Sequence, residues 1–148
     1  MSTHRRHMTR AIELAKMQQG RTGVNPSVGC VILDRDARLV SEAATGDGGR
    51  PHAEQLALAS APVGAAAGGT AYVTLEPCRL RSTDEASCSQ RLIDAGIAKV
   101  VIATRDPHPQ GAGGLDRLRE AGIDVEIGLM KDLADALYRD FFASVAKK

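Results

Sequence analysis

The chain has 148 residues, the size of one compact domain, with 43% hydrophobic residues but only 3% aromatic, so Val, Ile, Leu and Ala must fill its core. Its 19 basic and 18 acidic residues leave a net charge of +1, which argues against the broad basic field that a nucleic-acid binder turns toward phosphates. No run approaches the ~20 apolar residues of a membrane span, and the basic N-terminus lacks the apolar stretch of a secretory signal.

Residues 7 to 18 carry Met8, Ile12, Leu14, Ala15 and Met17 at helical spacing up to Gly20, which predicts a helix. Ser27 to Leu33 is rich in β-branched residues and reads as a buried strand, with a turn at Asp34 to Ala37 and a pairing strand at Arg38 to Ala43. A glycine-rich loop, TGDGGRP, leads to His52, and Ala53 to Ala59 reads as a helix. After the small-residue loop APVGAAAGG come a strand at Thr70 to Leu75, a helix over 87 to 95 and a strand at Lys99 to Ala103. A helix at Leu115 to Ala121, a short strand at Asp124 to Ile127 and one last helix at Lys131 to Val145 complete the order. This succession predicts an α/β fold of three layers, a mixed five-stranded sheet with helices on both faces.

The chemistry concentrates in Pro51-His52-Ala53-Glu54 and Glu76-Pro77-Cys78, with a further cysteine at position 88. Alone, His52 is an ordinary loop histidine and each cysteine a small buried hydrophobe. Together, one imidazole and two thiols form a good zinc-ligand set, and three protein ligands leave a fourth position open, as catalytic zinc requires. With three cysteines in all, two serve the metal and no disulfide framework is expected, in keeping with a reducing, cytoplasmic setting. Cys30, in the middle of an apolar strand, belongs to the core.

Glu54 stands two residues after the histidine, close to the metal without being needed to hold it. A carboxylate there can take a proton from the attacking water and return it to the leaving nitrogen. His-x-Glu followed by Pro-Cys is the signature of zinc-dependent deaminases. The plainer alternative is that His52 and Glu54 only open and cap a helix. One zinc ion per chain is therefore expected, on His52, Cys78 and Cys88, with Glu54 as the catalytic proton carrier.

Beyond these residues the chain resembles the pyrimidine deaminase domain of riboflavin biosynthesis, a branch of the cytidine-deaminase-like superfamily. The resemblance is carried by MTRAIELA, Gly20-x-Thr22, NPSVGCVI (25–32), GRPHAE (49–54), AYVTLEPC (71–78) and LIDAG (92–96). It continues through Asp106-Pro107-x-Pro109, LRxAGI (118–123) and Phe141-Phe142. Nine residues, 79 to 87, separate the cysteines. Most other branches show Pro-Cys-x-x-Cys, and the riboflavin branch typically has one residue fewer than this chain. The resemblance implies an amino-pyrimidine substrate, met by Asn25, Thr45, Ala53, Asp106 and His108. Arg79 and Arg81, or Arg105, are candidates for a substrate phosphate. Asn25 equally suits a turn before Pro26. The resemblance also implies a homo-oligomer, dimer or tetramer.

The chain departs from the family between the cysteines, where RLRSTDEAS lacks the usual histidine, glycine and prolines of that segment. Tyr138 stands where asparagine is common, and the family's frequent C-terminal reductase has no counterpart within residues 1–148. A single deaminase domain over 1–148 is the expectation. Two alternatives stay open: a paralogous deaminase acting on a different base, nucleoside or specialised-metabolite heterocycle, and a non-catalytic zinc-binding or interaction protein. Glu54 argues against the second, because a structural zinc site has no use for that carboxylate.

Overall fold

The computed structural model describes residues 3–78, 87–107 and 113–146. Helix α1 (Thr3–Gln18) buries Met8, Ala11, Ile12 and Ala15, the i, i+3, i+4, i+7 stripe of a helix lying on a core. It begins a turn earlier than the apolar pattern predicts. The extra turn is held by aromatic and polar contacts: His4 Nδ1 lies 2.6 Å from the Tyr72 hydroxyl, and the His7 ring packs 5.1 Å from the Tyr72 ring.

Strand β1 (Gly29–Leu33) is buried at every position and forms an antiparallel hairpin with β2 (Leu39–Ala44). The turn between them is shaped by Asp34, whose side chain accepts from the N–H of Asp36 at 2.8 Å and of Arg38 at 3.0 Å. The strand starts two residues later than expected. The Ser27 hydroxyl donates to the Ala15 carbonyl at 2.6 Å and the Val28 N–H donates to the Thr45 hydroxyl at 2.9 Å. Side chains thus take over part of the pairing there, while the Thr45 N–H still donates to the Val28 carbonyl at 2.9 Å.

Helix α2 (Ala53–Ser60) is followed by β3 (Thr70–Leu75), α3 (Cys88–Asp94), β4 (Lys99–Thr104), α4 (Gly114–Glu120) and β5 (Asp124–Ile127). The five strands form one sheet in the order β2-β1-β3-β4-β5. Pairing is antiparallel on both sides of β1 and parallel from β3 through β5. The two parallel crossovers carry α3 and α4, and right-handed connections place both on one face, together with α2. Helices α1 and α5 (Lys131–Leu137) take the other face, giving the three-layer α/β/α arrangement expected. No helix among the described residues is long and apolar enough to cross a membrane.

Strand parity sorts the core between the layers. Gly29 faces α1 so closely that a Cβ there would overlap the Ala11 carbonyl oxygen. Its neighbour Cys30 faces the opposite layer with Val73, its partner in the ladder. Val31, Val100, Val101 and Ile102 are fully buried, so branched aliphatics fill the space that aromatics would occupy elsewhere.

The single helix expected over Lys131 to Val145 is instead two, α5 and α6 (Arg139–Ala146), divided at Tyr138 (φ −102°, ψ 10°). The phenol is 1% exposed, and its hydroxyl donates to the Ser27 carbonyl at 2.8 Å. The same hydroxyl lies 2.6 Å from Thr74 Oγ1, which accepts from the Gly29 N–H at 3.0 Å. With its own proton committed to Ser27, Tyr138 receives that of Thr74. Anchoring of the phenol beneath the sheet's end sets the helix break, a long-range contact that periodicity does not reveal.

Candidate metal centre and catalytic site

The metal centre forms where β3 and β4 end side by side, the edge of an open α/β sheet at which ligand sites collect. Three segments deliver its side chains. His52 is the N-cap residue of α2, in extended conformation with no capping side-chain bond, so its imidazole is free of the helix end. Cys78 follows β3 after Glu76-Pro77. Cys88 opens α3, whose N-cap Ser87 accepts from the Gln90 N–H at 3.1 Å.

His52 Nδ1 lies 3.3 Å from Cys88 Sγ, and the Cys88 N–H donates to Cys78 Sγ at 3.2 Å. The ligand atoms of His52, Cys78 and Cys88 all lie within 4.8 Å of one another. Zinc–nitrogen and zinc–sulfur bonds at a tetrahedral centre place such atoms about 3.5–3.8 Å apart. The donor set and its spacing therefore fit zinc. The Cys78 thiol is held down to about 4, through its hydrogen bond with Cys88 first and against the opposing effect of burial, with His52 helping. A thiolate is the form that binds a metal.

Glu54, in the first turn of α2, is 4% exposed. Its carboxyl is pushed up to about 7, by burial first and then by the negative charge of Cys78, with His52 and Cys88 among the groups pulling it back. Burial, and next the nearby Glu54 charge, push the Cys30 thiol up. Cys30 is fully buried and lies outside the ligand group.

The other residues expected to meet substrate are placed as follows. The Asn25 amide donates to the Gly49 carbonyl at 3.2 Å, which ties the turn at Thr22–Asn25 to the loop that carries His52. The Thr45 hydroxyl accepts from the Val28 N–H and the residue is 2% exposed. Ala53 is fully buried at the start of α2. Asp106 leaves β4, and its N–H donates to Glu76 Oε1 at 3.2 Å. His108, Arg79 and Arg81 lie outside the described residues.

Three residues whose tertiary bonds the sequence reading did not anticipate are Glu76, Thr74 and Tyr138. The cap at Ser87 was not read either, although Ser-x-x-Gln at 87–90 is a capping-box pattern that could have marked it. Nothing local marks the other three, whose partners lie far away in the chain.

A family described as the cytidine and deoxycytidylate deaminase zinc-binding region matches residues 1–104. The chain is 47% identical over 136 residues to riboflavin biosynthesis protein RibD of Escherichia coli, covering 91% of this chain and 36% of that protein. It is 41% identical over 137 residues to the diaminohydroxyphosphoribosylamino-pyrimidine deaminase of Buchnera aphidicola, covering 92% of this chain and 91% of the relative. The solved Thermotoga maritima deaminase/reductase of this type superposes with a TM-score of 0.89 at 37% identity, over 97% of this chain and 41% of that one. The chain thus spans little over a third of the Escherichia coli relative and nearly all of the Buchnera one. With the site geometry, these matches show that the chain belongs to the cytidine and deoxycytidylate deaminase zinc-binding family, in its riboflavin-biosynthesis deaminase branch.

Proposed function

We propose that the chain is a zinc-dependent hydrolytic deaminase of an amino-pyrimidine, acting on the diaminohydroxyphosphoribosylaminopyrimidine of riboflavin biosynthesis. The observation that carries this reading is the buried Glu54 carboxylate beside three convergent metal ligands from separate segments. Zinc, when bound, supplies the Lewis acidity that makes water a competent nucleophile near neutral pH.

The protein's own groups do the rest. Glu54 accepts a proton from the attacking water as oxygen adds to the ring carbon bearing the amino group. It then delivers that proton to the amino nitrogen as the C–N bond breaks, and the hydroxyl proton passes from the new oxygen to the adjacent ring nitrogen, leaving a ring carbonyl and ammonia. A carboxyl raised toward neutrality is suited to both halves of that transfer. Burial of Glu54 keeps bulk water from competing for the proton. Asn25 fixes the loop before His52, and Asp106 borders the same end of the sheet. Arg79, Arg81 and His108 complete the substrate contacts in this reading.

The reading carries with it a cytoplasmic setting, a homo-oligomer and no nucleic-acid partner, the last from the balanced charge. Ammonia release by the zinc-loaded protein tests it, with the pathway phosphate, its dephosphorylated form, cytidine, cytosine, guanine and adenosine as substrates. Turnover of the phosphate is expected. Silence there with turnover of another base would assign the site to a paralogous deaminase, for which the sequence RLRSTDEAS between the cysteines is the specific observation. Silence on all, with zinc bound, would sink the deaminase reading.

A further inference from the structure

Glu76 ends β3 and stands two residues before the metal ligand Cys78. It is 6% exposed, and its N–H donates to the Thr104 carbonyl at 2.9 Å, so strand pairing continues up to it. Among the described residues its carboxylate meets no basic side chain. It is met by three main-chain N–H groups: Oε1 accepts from Asp106 at 3.2 Å, and Oε2 accepts from Gly113 at 3.1 Å and Leu115 at 3.0 Å. A buried carboxylate is costly to leave unsatisfied, and N–H donors to an ionised acceptor are among the stronger hydrogen bonds.

The three amides belong to two different stems. Asp106 has just left β4, while Gly113 and Leu115 open α4. Gly113, the N-cap residue of α4, lies at φ 96° and offers no capping side chain. Glu76 takes that place from across the sheet end, where negative charge also suits the exposed N–H groups of a helix start. On the far side, Gly114 sits so close to the Pro77 carbonyl oxygen that a Cβ would overlap it. Both stems are therefore bonded to the Glu76 carboxylate, and the start of α4 also packs against the Pro77 carbonyl.

The bond from its N–H to Glu76 also places Asp106 near the metal-ligand group, since Glu76 stands two residues before Cys78. Burial first raises the pKa of the Tyr138 phenol; the charges of Glu54 and Asp106 both add to that, against the Thr74 hydrogen bond. One buried side chain therefore feels both carboxylates.

We propose that Glu76 is a positioning residue for substrate binding, its carboxylate holding Asp106 and the start of α4 in register with the metal-ligand segment so that the substrate meets a preformed wall. This rests on the deaminase reading. The role concerns binding and leaves the metal and the proton carrier untouched.

The test is Glu76→Gln, which keeps the shape but turns one accepting oxygen into an NH2 group that confronts a main-chain N–H. Zinc content, amide hydrogen exchange, KM and kcat are measured on the variant and the wild type. The expected result is unchanged zinc at one per chain and exchange at Asp106, or at Gly113 and Leu115, faster by about ten-fold. KM for the pyrimidine phosphate rises about ten-fold, the scale of a lost charged hydrogen bond, and kcat changes far less. Unchanged KM with loosened amides would reduce Glu76 to a structural cap and overturn the proposal, as would unchanged protection. Should the variant not fold, the wild type decides. Its Asp106, Gly113 and Leu115 amides should exchange as slowly as Val101 in β4, and exchange at the rate of an open loop would overturn the clamp. Wild-type silence on every substrate would instead sink the deaminase reading and the binding role with it, while the exchange data still judge the clamp.

Discussion

His52 Nδ1 lies 3.3 Å from Cys88 Sγ, although the two residues open different helices on the same face of the sheet. The imidazole and the thiol are within hydrogen-bond reach of one another. With Cys78 as the third donor, the three are placed to hold a metal ion. Removing zinc with a chelator should lower the thermal midpoint and abolish ammonia release, and stoichiometric zinc should restore both. Cys88→Ser should lower bound zinc well below one per chain by metal analysis.

Glu54→Gln separates holding the metal from using it. The amide keeps the volume of the side chain but cannot carry the proton. Zinc content should stay at one per chain while kcat falls by about 10²–10⁴, the range of a lost general acid–base. Loss of zinc alongside activity would show Glu54 to be a structural member of the site.

The chain Gly29 N–H to Thr74, Thr74 to Tyr138 and Tyr138 to the Ser27 carbonyl has every donor matched. Tyr138→Phe leaves the Ser27 carbonyl and the Thr74 hydroxyl short of a partner in a buried place. Urea unfolding should show a loss of about 1–3 kcal/mol. Thr74→Val should cost a similar amount, and the double variant should lose less than the sum, because both singles break the same chain.

Gly29→Ala tests the seating of α1 on β1. A methyl group at Gly29 would overlap the Ala11 carbonyl, so the helix must lift away. Overpacking of this kind costs about 1–3 kcal/mol, and urea unfolding reads it. A midpoint equal to the wild type would mean that α1 is seated more loosely than the structure shows.

His7 makes stability depend on pH. Its Nε2 is buried without a hydrogen-bond partner among the described residues. Its pKa is lowered from 6.5 by burial first, then by the charges of Arg6 and His4. The unfolded chain therefore binds a proton more readily than the folded one. This contribution to stability is complete above 6.5 and is lost as pH falls through the depressed folded value. Denaturation midpoints taken from pH 7.5 down to pH 5 should fall more steeply for wild type than for His7→Gln. Parallel curves would remove His7 from the pH response.

Local pattern carried much of this protein. Met8, Ile12 and Ala15, read from the sequence as part of a helical face, are buried because a period of 3.6 puts them on one side, whereas Met17 of the same reading is exposed. The β-branched run through Val31 and Ile32 specifies a buried strand. His52, Glu54 and Cys78 were legible as candidates because a metal ligand and a carboxylate proposed to carry its proton stand at short spacing where a strand ends or a helix opens, and short spacing survives in one dimension. The second ligand cysteine, Cys88, was legible by its residue type and by the family resemblance that spans the chain.

Tertiary structure decided what depends on distant partners. Nothing around Tyr138 announces a helix break, since its cause is a carbonyl at Ser27, 111 positions away. Nothing in the string TLEPC says that Glu76 caps α4, because the N–H groups it binds belong to residues 106, 113 and 115. Thr45 reads as a candidate for substrate, yet its hydroxyl binds the Val28 N–H where the hairpin ladder ends. A side chain's type and neighbours in sequence state which bonds it is able to make. Which bonds it does make follows from the obligation of each buried polar group to find a partner, and the partners within reach are known only once the sheet has brought them together.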